Sequence, residues 1–243
     1  MKKNNNIVTF ENLSNFPSLI HGFSTRPFGS MRPSHLDSQD ALKKFANALK
    51  INTQKIVRMH QVHSNVVHWV TVNNQDKIID RTDGLLTKEQ QIFLGVVTGD
   101  CIPLLFYDPS QHIVAAVHAG WRGLFSEIIK ETVNSFVAKG SNASDILVGI
   151  GPCIRDCCYD IAQDHADKLL TKFPDWKAFI TEREKKLFLN LPGVTIYQLR
   201  GLGVLQKNIE DADYCTFDHE DVYSYRREGK DFGEMMGIIG IFT

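Results

Sequence analysis

Runs of apolar residues along the chain predict strands, several of which are apolar on both faces. The predicted strands are Lys55–Arg58, Ile92–Val97, Leu104–Tyr107, Ile113–Val117, Ile146–Ile150 and a last one, interrupted by glycines, at Met235–Phe242. Strands of this kind lie inside sheets that other layers cover on both sides. The pattern therefore predicts a covered sheet with helices packed on its faces.

Apolar residues at helical spacing predict the covering helices. The predicted helices are Asp40–Leu49, Leu124–Ala138, Asp160–Phe173 and Gln198–Ile209. In the second of these, Leu124, Ile128 and Val133 share one face, which is the face expected to pack on a sheet. Strands and helices alternate without strict repetition, so the sequence predicts an α/β (α+β) fold with a mixed β-sheet flanked by helices.

Length and composition favour one soluble domain. The 243 residues contain no linker long enough to separate two domains, so residues 1–243 are predicted to form a single catalytic domain. A net charge of −1 and the lack of a Lys/Arg run argue against a nucleic-acid partner. No secretory signal pattern or membrane span is found, and five cysteines, an odd number, favour free thiols. We expect a cytoplasmic protein, either monomer or homodimer, with no membrane partner.

Potential metal ligands stand where two of the apolar strands end. Cys101 follows the strand at Ile92–Val97, His118 follows the strand at Ile113–Val117, and His63 lies in a third segment. Two imidazoles and one thiolate suit zinc, and three protein ligands leave a fourth position for water or substrate. Since cysteine is among the most buried residue types, three unrelated packed residues are the alternative.

A closed structural zinc site would need four ligands and often shows a C-x-x-C knuckle. Cys153, Cys157 and Cys158 do not form one convincingly, and we expect these thiols to be packed. The open, catalytic type of zinc site fits the spacing better.

Five short motifs together resemble one protein family. They are Gln61-Val62-His63-Ser64, Thr82-Asp83-Gly84-Leu85-Leu86-Thr87, Thr98-Gly99-Asp100-Cys101-Ile102-Pro103-Leu104, Val117-His118-Ala119-Gly120-Trp121-Arg122-Gly123-Leu124 and Gly149-Ile150-Gly151-Pro152-Cys153-Ile154. In this order they resemble the laccase-domain family, also named multicopper polyphenol oxidoreductase, which includes purine nucleoside phosphorylases and peptidoglycan editing factors. The resemblance extends from His21 to Gly229.

The resemblance implies a zinc-dependent enzyme that acts on purine nucleosides. The implied reactions are phosphorolysis of adenosine, inosine and methylthioadenosine, with some adenosine deamination, so purine nucleosides and phosphate are the implied partners. The family's metal ligands correspond to His63, Cys101 and His118. Copper is an adventitious or alternative metal at the same three residues.

Each reaction requires further residues. Deamination needs a proton shuttle, for which Asp100 is the candidate, with capping as the alternative. Phosphorolysis needs a cation for phosphate, and Arg122 fits because it lies in a glycine-flanked turn, although stacking on Trp121 explains it equally well. Arg26 and Arg58 are weaker phosphate candidates.

Two polar residues are assigned to substrate binding. Gln61 and Ser24 are the candidates, and ordinary turn and capping chemistry is the alternative for both. Asp83 is expected to hold the turn before Leu85.

Two other function classes remain open. A copper-dependent polyphenol oxidase would need paired histidines, and the sequence has no H-x-H pair. A metal-free cysteine hydrolase or amidase that edits cell-wall precursors would use Cys101 as nucleophile and His118 as base, with a residue such as Asp100 to orient the base.

The chain departs from the family pattern in three places, of which Gly99 in place of the usual alanine before Asp-Cys is a small change. The residues after Arg26 differ from the family's Gly-Gly-Val-Ser stretch, and the family's C-terminal Thr-Gly-Arg is replaced around Phe232-Gly233-Glu234. The family's roles for these segments do not carry over to this chain.

Overall fold

Strands and helices both contribute to the computed structural model, which describes residues 1–4, 6–74 and 78–242. The strands are β1 Lys2–Asn4, β2 Ile7–Thr9, β3 Leu19–Ser24, β4 Ile56–Met59, β5 Val67–Trp69, β6 Ile78–Ile79, β7 Gly84–Thr87, β8 Phe93–Thr98, β9 Ile102–Asp108, β10 Ile113–Ala119, β11 Leu147–Ile150, β12 Asp160–Ile161, β13 Ile180–Arg183, β14 Lys186–Leu189, β15 Ile209–Asp211 and β16 Met235–Ile241. The α-helices are α1 Glu11–Ser14, α2 Ser38–Ala48, α3 Trp121–Phe125, α4 Ile128–Val137, α5 Gln163–Lys172, α6 Leu191–Gly201 and α7 Tyr225–Glu228.

Two large sheets and one small sheet account for these strands. The first large sheet has the order β1-β2-β3-β16-β8-β4-β6, and the second has the order β15-β11-β9-β10-β7-β5. The small sheet is β12-β14-β13. Both large sheets are mixed. In the first sheet β8 pairs parallel with β4 and antiparallel with β16, and in the second sheet β7 pairs parallel with β5 while β9 and β10 are antiparallel.

The two large sheets pack face to face, which explains why their central strands are apolar on both sides. Along β9, Leu105 and Tyr107 belong to the core shared with Leu94 and Ile239 of the first sheet. Phe106 points to the opposite face, as the two-residue period of a strand requires. Neither face of β9 therefore contacts water.

Helices cover the outer faces of both sheets. Val133 and Phe136 of α4, with Leu199 of α6, pack on the outer face of the second sheet. Leu42 and Phe45 of α2 pack on the outer face of the first sheet. The α/β fold with mixed sheets flanked by helices is thus confirmed. Among the described residues, no helix has the length and apolar character needed to cross a membrane.

Three helix predictions need correction. The helix predicted at 198–209 is wrong, because the chain is helical over α6 and then enters β15. The helix predicted at 124–138 is two helices, since Glu127 has a φ of 67° that breaks the path between α3 and α4. The helix predicted at 160–173 begins at Gln163, after the short strand β12.

The sheet register brings together the segments that contain the predicted metal ligands. The chain crosses from the first sheet to the second between Thr98 and Ile102, and Cys101 lies in this crossing. His118 of β10 is opposite Pro103 of β9, and Pro103 is two residues after Cys101 in the chain. Because β7 pairs with β10, Gly84 is opposite Val117, and the segment before β7 reaches the same end of the sheet.

Candidate metal centre and substrate cavity

Asp83 holds together two of the segments that form the centre. Its Oδ1 accepts hydrogen bonds from His118 Nδ1 at 2.8 Å and from the backbone N–H of His63 at 3.0 Å. Its Oδ2 accepts from the backbone N–H and hydroxyl of Ser64 at 2.6 and 2.7 Å. Burial acts to raise the pKa of Asp83, but the hydrogen bonds from His118 and Ser64 lower it to about 2. Asp83 is therefore an ionised, buried carboxylate that orients its neighbours.

The three residues predicted as metal ligands converge. One ligand atom from each of His63, Cys101 and His118 can be chosen so that all lie within 4.8 Å of one another. His63 Nε2 is 3.8 Å from Cys101 Sγ, and the two imidazole rings are 4.8 Å apart at 82°. Since Asp83 engages His118 Nδ1, the Nε2 of that ring is the atom left to bind a metal.

The surroundings of Cys101 favour its thiolate. Burial acts to raise the pKa of Cys101, but the positive charge and hydrogen bonds of His118 and His63 lower it to about 6. Burial acts to lower the pKa of His118, but Cys101 and Asp83 raise it to about 10. A thiolate at neutral pH is the form required both by a metal and by nucleophilic chemistry.

Gly120 gives the centre the space it needs. A Cβ at this position would lie 2.8 Å from Cys101 Sγ and 3.1 Å from His63 Cδ2. Both distances are shorter than ordinary contacts, so only glycine lets the chain pass so close to the two side chains. This requirement accounts for the first glycine of the Gly-Trp-Arg-Gly turn.

The cluster opens into a cavity of about 1110 Å³. Both sheets and the segments after β10 and before β16 contribute to its wall. Four arginines line it: Arg32, Arg58, Arg122 and Arg226. Aromatic side chains also line it: Trp121, Tyr159, Tyr225 and Phe232. The combination of apolar rings with a few charged groups is typical of small-molecule sites.

The arginines of the cavity differ in how they are paired. The Arg58 guanidinium is half-buried and forms no hydrogen bond or ion pair with any described residue, and burial lowers its pKa. Arg122 is exposed and stacks 4.5 Å from the centre of the Trp121 ring. Arg226 pairs with Asp160.

Asp100 and Gln61 line the same cavity, yet their polar atoms are paired with protein groups. Asp100 accepts hydrogen bonds from Thr216 Oγ1 at 2.5 Å and from the backbone N–H of Arg226 at 2.6 Å. The Gln61 amide pairs with both the N–H and the C=O of Val97, at 2.9 and 2.8 Å. The hydrogen bonds of Asp100 fix the crossing segment beside Cys101, and those of Gln61 fix the end of β8.

Ser24 and Arg26 lie outside the cavity lining. Ser24 is buried and its Oγ accepts a hydrogen bond from the backbone N–H of Met236 at 2.9 Å. Arg26 pairs with Glu228, donates to the carbonyl of Glu220 at 2.7 Å and stacks over Tyr223. The structure gives both residues contacts that hold β3 and the following turn to the C-terminal segment.

Sequence reasoning missed Glu234 and underestimated Asp83. Glu234 lines the cavity, and burial raises the pKa of its carboxyl group. Its position, 116 residues from His118 in the chain, carries no local motif. Asp83 stands directly before β7, which pairs with the strand of His118, and this pairing cannot be read from the sequence.

Comparison with known proteins identifies the family. A family model described as multi-copper polyphenol oxidoreductase laccase matches residues 20–242. The chain belongs to this family. Membership of the laccase family confirms the resemblance seen in the five motifs and, through the family's name, implies a metal centre.

The names of relatives in the laccase family state an activity other than laccase. The purine nucleoside phosphorylase YlmD of Bacillus subtilis (strain 168) is 32% identical over 95% of this chain and 89% of its own length. The purine nucleoside phosphorylase LACC1 of Homo sapiens is 29% identical over 91% of this chain, which spans only 55% of the human protein. The crystal structure of the Bacillus licheniformis hypothetical protein YfiH matches with a TM-score of 0.87 and 30% identity over 97% of this chain and 96% of that one.

Proposed function

We propose that this chain is a zinc-dependent purine nucleoside phosphorylase. Adenosine, inosine and methylthioadenosine are its proposed substrates, with adenosine deamination as a side activity and residues 1–243 as one catalytic domain. The observation that carries the proposal is the cluster of His63, Cys101 and His118 in the wall of a cavity that also presents unpaired positive charge. The names of the curated relatives support the phosphorylase activity.

The donor set of the cluster fits zinc. Two imidazoles and a thiolate are ligands that Zn²⁺ accepts, and a set of three leaves a position open to the cavity. The carboxylate of Asp83 behind His118 is the kind of outer partner that fixes a ligating imidazole. A bound zinc ion would supply Lewis acidity toward a substrate oxygen or nitrogen.

Phosphorolysis needs a bound phosphate, and Arg58 and Arg122 are the proposed groups. An oxygen of phosphate forms a bond to the ribose C1′ while the bond from C1′ to the purine nitrogen breaks, and the electron pair leaves with the base. A half-buried guanidinium without an ionic partner is costly unless an anion occupies its vicinity, which favours Arg58. The Arg122 guanidinium carbon lies 4.5 Å from the centre of the Trp121 ring. Its N–H groups form no hydrogen bond with a described residue, so they are able to bind an anion.

The departing purine needs a proton, and Glu234 suits this role better than Asp100. Burial raises the pKa of Glu234, which helps the carboxyl group to carry a proton near neutral pH. Asp100 already accepts hydrogen bonds from Thr216 and Arg226 on its two oxygens. We therefore assign proton transfer to Glu234 and a positioning role to Asp100.

A metal-free cysteine hydrolase is the second candidate, and one observation favours it. The site contains the three groups that a cysteine hydrolase requires: Cys101 as nucleophile, His118 as base and Asp83 as the carboxylate that orients the base. The orienting residue in this arrangement is Asp83, whereas the sequence suggested Asp100.

The deciding experiment measures the metal content of the purified chain together with its reaction on adenosine. We expect about one zinc ion at this centre, as an open three-ligand site requires. We also expect adenine release that depends on phosphate. Treatment with a zinc chelator should abolish the reaction, and added zinc should restore it. Full activity after complete chelation would reject the zinc requirement, and a chain with neither metal nor purine product would favour the cysteine hydrolase.

A variant pair tests the phosphate site. Arg58→Gln is expected to raise the KM for phosphate by about tenfold or more, because an ionic hydrogen bond is worth about 1.5–3 kcal/mol. Arg200→Gln removes the same charge from the exposed face of α6 and should leave the KM unchanged. An equal KM for phosphate in both variants would remove Arg58 from the phosphate site.

A further inference from the structure

A second cluster of metal-binding side chains lies outside the substrate cavity. One ligand atom from each of Cys157, Cys158, Cys215 and Asp218 lies within 4.8 Å of the others. None of the four is part of the cavity lining. We propose that these four side chains bind a structural zinc ion, separate from the catalytic centre.

Two adjacent turns present the four ligands. Cys157 and Cys158 lie in the turn at 156–158, and Asp218 lies in the turn at 216–218, directly after Cys215. A short parallel bridge between Cys153 and Cys215 holds the two turns side by side. Each of the two segments thus contributes two ligands, which is how separate chain segments commonly share a zinc ion.

The measured distances suit one ion. Cys157 Sγ is 3.4 Å from Cys215 Sγ and 3.3 Å from Cys158 Sγ. The oxygens of Asp218 are 3.2 Å from Cys157 Sγ and 3.1 Å from Cys158 Sγ. A tetrahedral ion with Zn–S bonds of about 2.3 Å separates its sulfurs by about 3.8 Å. Small outward rotations of the side chains are enough to admit it.

The donor set distinguishes this site from the catalytic one. Three thiols and one carboxylate supply all four positions of a tetrahedral zinc ion, so no position remains for substrate. Without metal, the thiols of Cys157 and Cys158 each donate to one oxygen of Asp218. Zinc replaces the thiol protons, which are released to solvent as the metal–sulfur bonds form. The prediction of packed thiols is correct for Cys153, which is buried, and wrong for Cys157, which is exposed.

The second turn is held in place by Arg227. Its Nη1 donates to the carbonyls of Thr216, Phe217 and His219 at 2.7, 2.9 and 3.1 Å. The backbone between Cys215 and Asp218 is therefore ordered by contacts that do not involve a metal. A preordered backbone reduces the conformational entropy lost when the ion binds.

The position of the site suggests what the ion stabilises. Thr216, within the second turn, donates its hydroxyl to Asp100, the residue before Cys101. The N–H of Ile154, just before the first turn, donates to the Asp100 carbonyl at 2.9 Å. An ion that joins the two turns therefore braces the segment that carries Cys101.

Zinc counts in the full chain and its variants test the proposal. The chain is purified under reducing conditions, equilibrated with excess zinc and desalted, and zinc is measured per chain. We expect about two ions in the wild type and about one in Cys157→Ser/Cys158→Ser, which keeps the catalytic centre. His118→Ala should keep the ion of the second site and lose the catalytic one.

A second pair of variants distinguishes a loss of zinc binding from a loss of folding. Asp218→Asn changes an exposed side chain and should weaken zinc binding at the second site about tenfold or more, by competition with a chromophoric chelator. Glu220→Gln removes the same charge from the same exposed loop and should bind as the wild type does. Cobalt in the His118→Ala variant should give the intense thiolate absorption of a site with several sulfurs.

Two results would overturn the second site. One is a zinc count that is the same in the wild type and in Cys157→Ser/Cys158→Ser. The other is a disulfide that joins Cys157 to Cys215 or to Cys158 in the reduced preparation, since oxidised sulfurs cannot bind the ion. Thiol counting would show it.

Discussion

Asp83 connects two of the three residues of the proposed metal centre, because its carboxylate contacts both the His118 ring and the backbone of His63. The same residue fixes the Ser64 turn. His63 has a φ of 61°, in the left-handed region, and the contacts to Asp83 help to hold it there. One buried carboxylate therefore positions a predicted metal ligand on each of two segments.

Gly120 provides a prediction at the residue scale. In Gly120→Ala the new Cβ would lie 2.8 Å from Cys101 Sγ, so the thiolate must move away from the two imidazoles. We expect zinc affinity at the catalytic centre to fall about tenfold or more, by analogy with other changes beside metal ligands. A chelator competition assay measures this affinity.

Gly201→Ala is the matched control. A Cβ at Gly201 meets no atom within 4 Å, so this variant should keep the wild-type zinc affinity. Equal affinities in the two alanine variants would show that the close approach at Gly120 is unimportant for the metal.

Among the elements, α6 shows how a helix boundary depends on its cap. The Asn190 side chain accepts a hydrogen bond from the N–H of Gly193 at 2.8 Å, and Pro192 lies in the first turn. Asparagine at the cap and proline in the first turn are both typical of helix starts. These signals place the helix start before the predicted 198–209 segment.

Removal of this cap should be measurable. Asn190→Ala is expected to lower the free energy of unfolding by about 1 kcal/mol, since it leaves the Gly193 N–H without its partner. Asn47→Ala, at an exposed position within α2, should be neutral or slightly stabilising because alanine favours helix. Urea denaturation of both variants compares them, and no loss of stability in Asn190→Ala would contradict the capping role.

At the scale of the whole molecule, the fold depends on two sheets that share a core while helices cover their outer faces. Phe106 of β9 is fully buried on the outer face of the second sheet, with its ring 6.0 Å from that of Phe136 in α4. The contact joins a central strand to its covering helix.

Phe106→Ala is predicted to destabilise the whole fold. The free energy of unfolding should fall by about 3–5 kcal/mol, because the variant leaves a large cavity between sheet and helix. Phe242→Ala removes a ring that is 43% exposed at the end of the first sheet and should cost far less. Denaturant unfolding measures both, and similar losses would mean that the interface of β9 with α4 is not a main source of stability.

Much of this architecture could be predicted from the sequence. The predicted strands at 92–97, 104–107 and 113–117 correspond to β8, β9 and β10, since only buried strands need apolar residues on both faces. The five motifs were sufficient to identify the family, which the family model confirms. The metal-ligand role of His63, Cys101 and His118 stays a prediction, although the structure brings them together.

Other features were beyond the sequence pattern. The hairpin of β13 and β14 is half-exposed and lacks a long apolar run, so periodicity did not reveal it. Ser24 and Arg26 lie in the region that resembles the family, yet their side chains contact the C-terminal segment. Sequence spacing contains no information on such distant contacts.

The sequence by itself determined the family, the buried strands and the residue types available for chemistry, because these depend on local composition and short motifs. Only the tertiary structure decided which polar groups meet. It joined Asp83 to His118, placed Glu234 in the cavity and brought Cys215 and Asp218 beside Cys157 and Cys158. The physical reason is that sheet register and turn packing act between segments that are far apart in the chain.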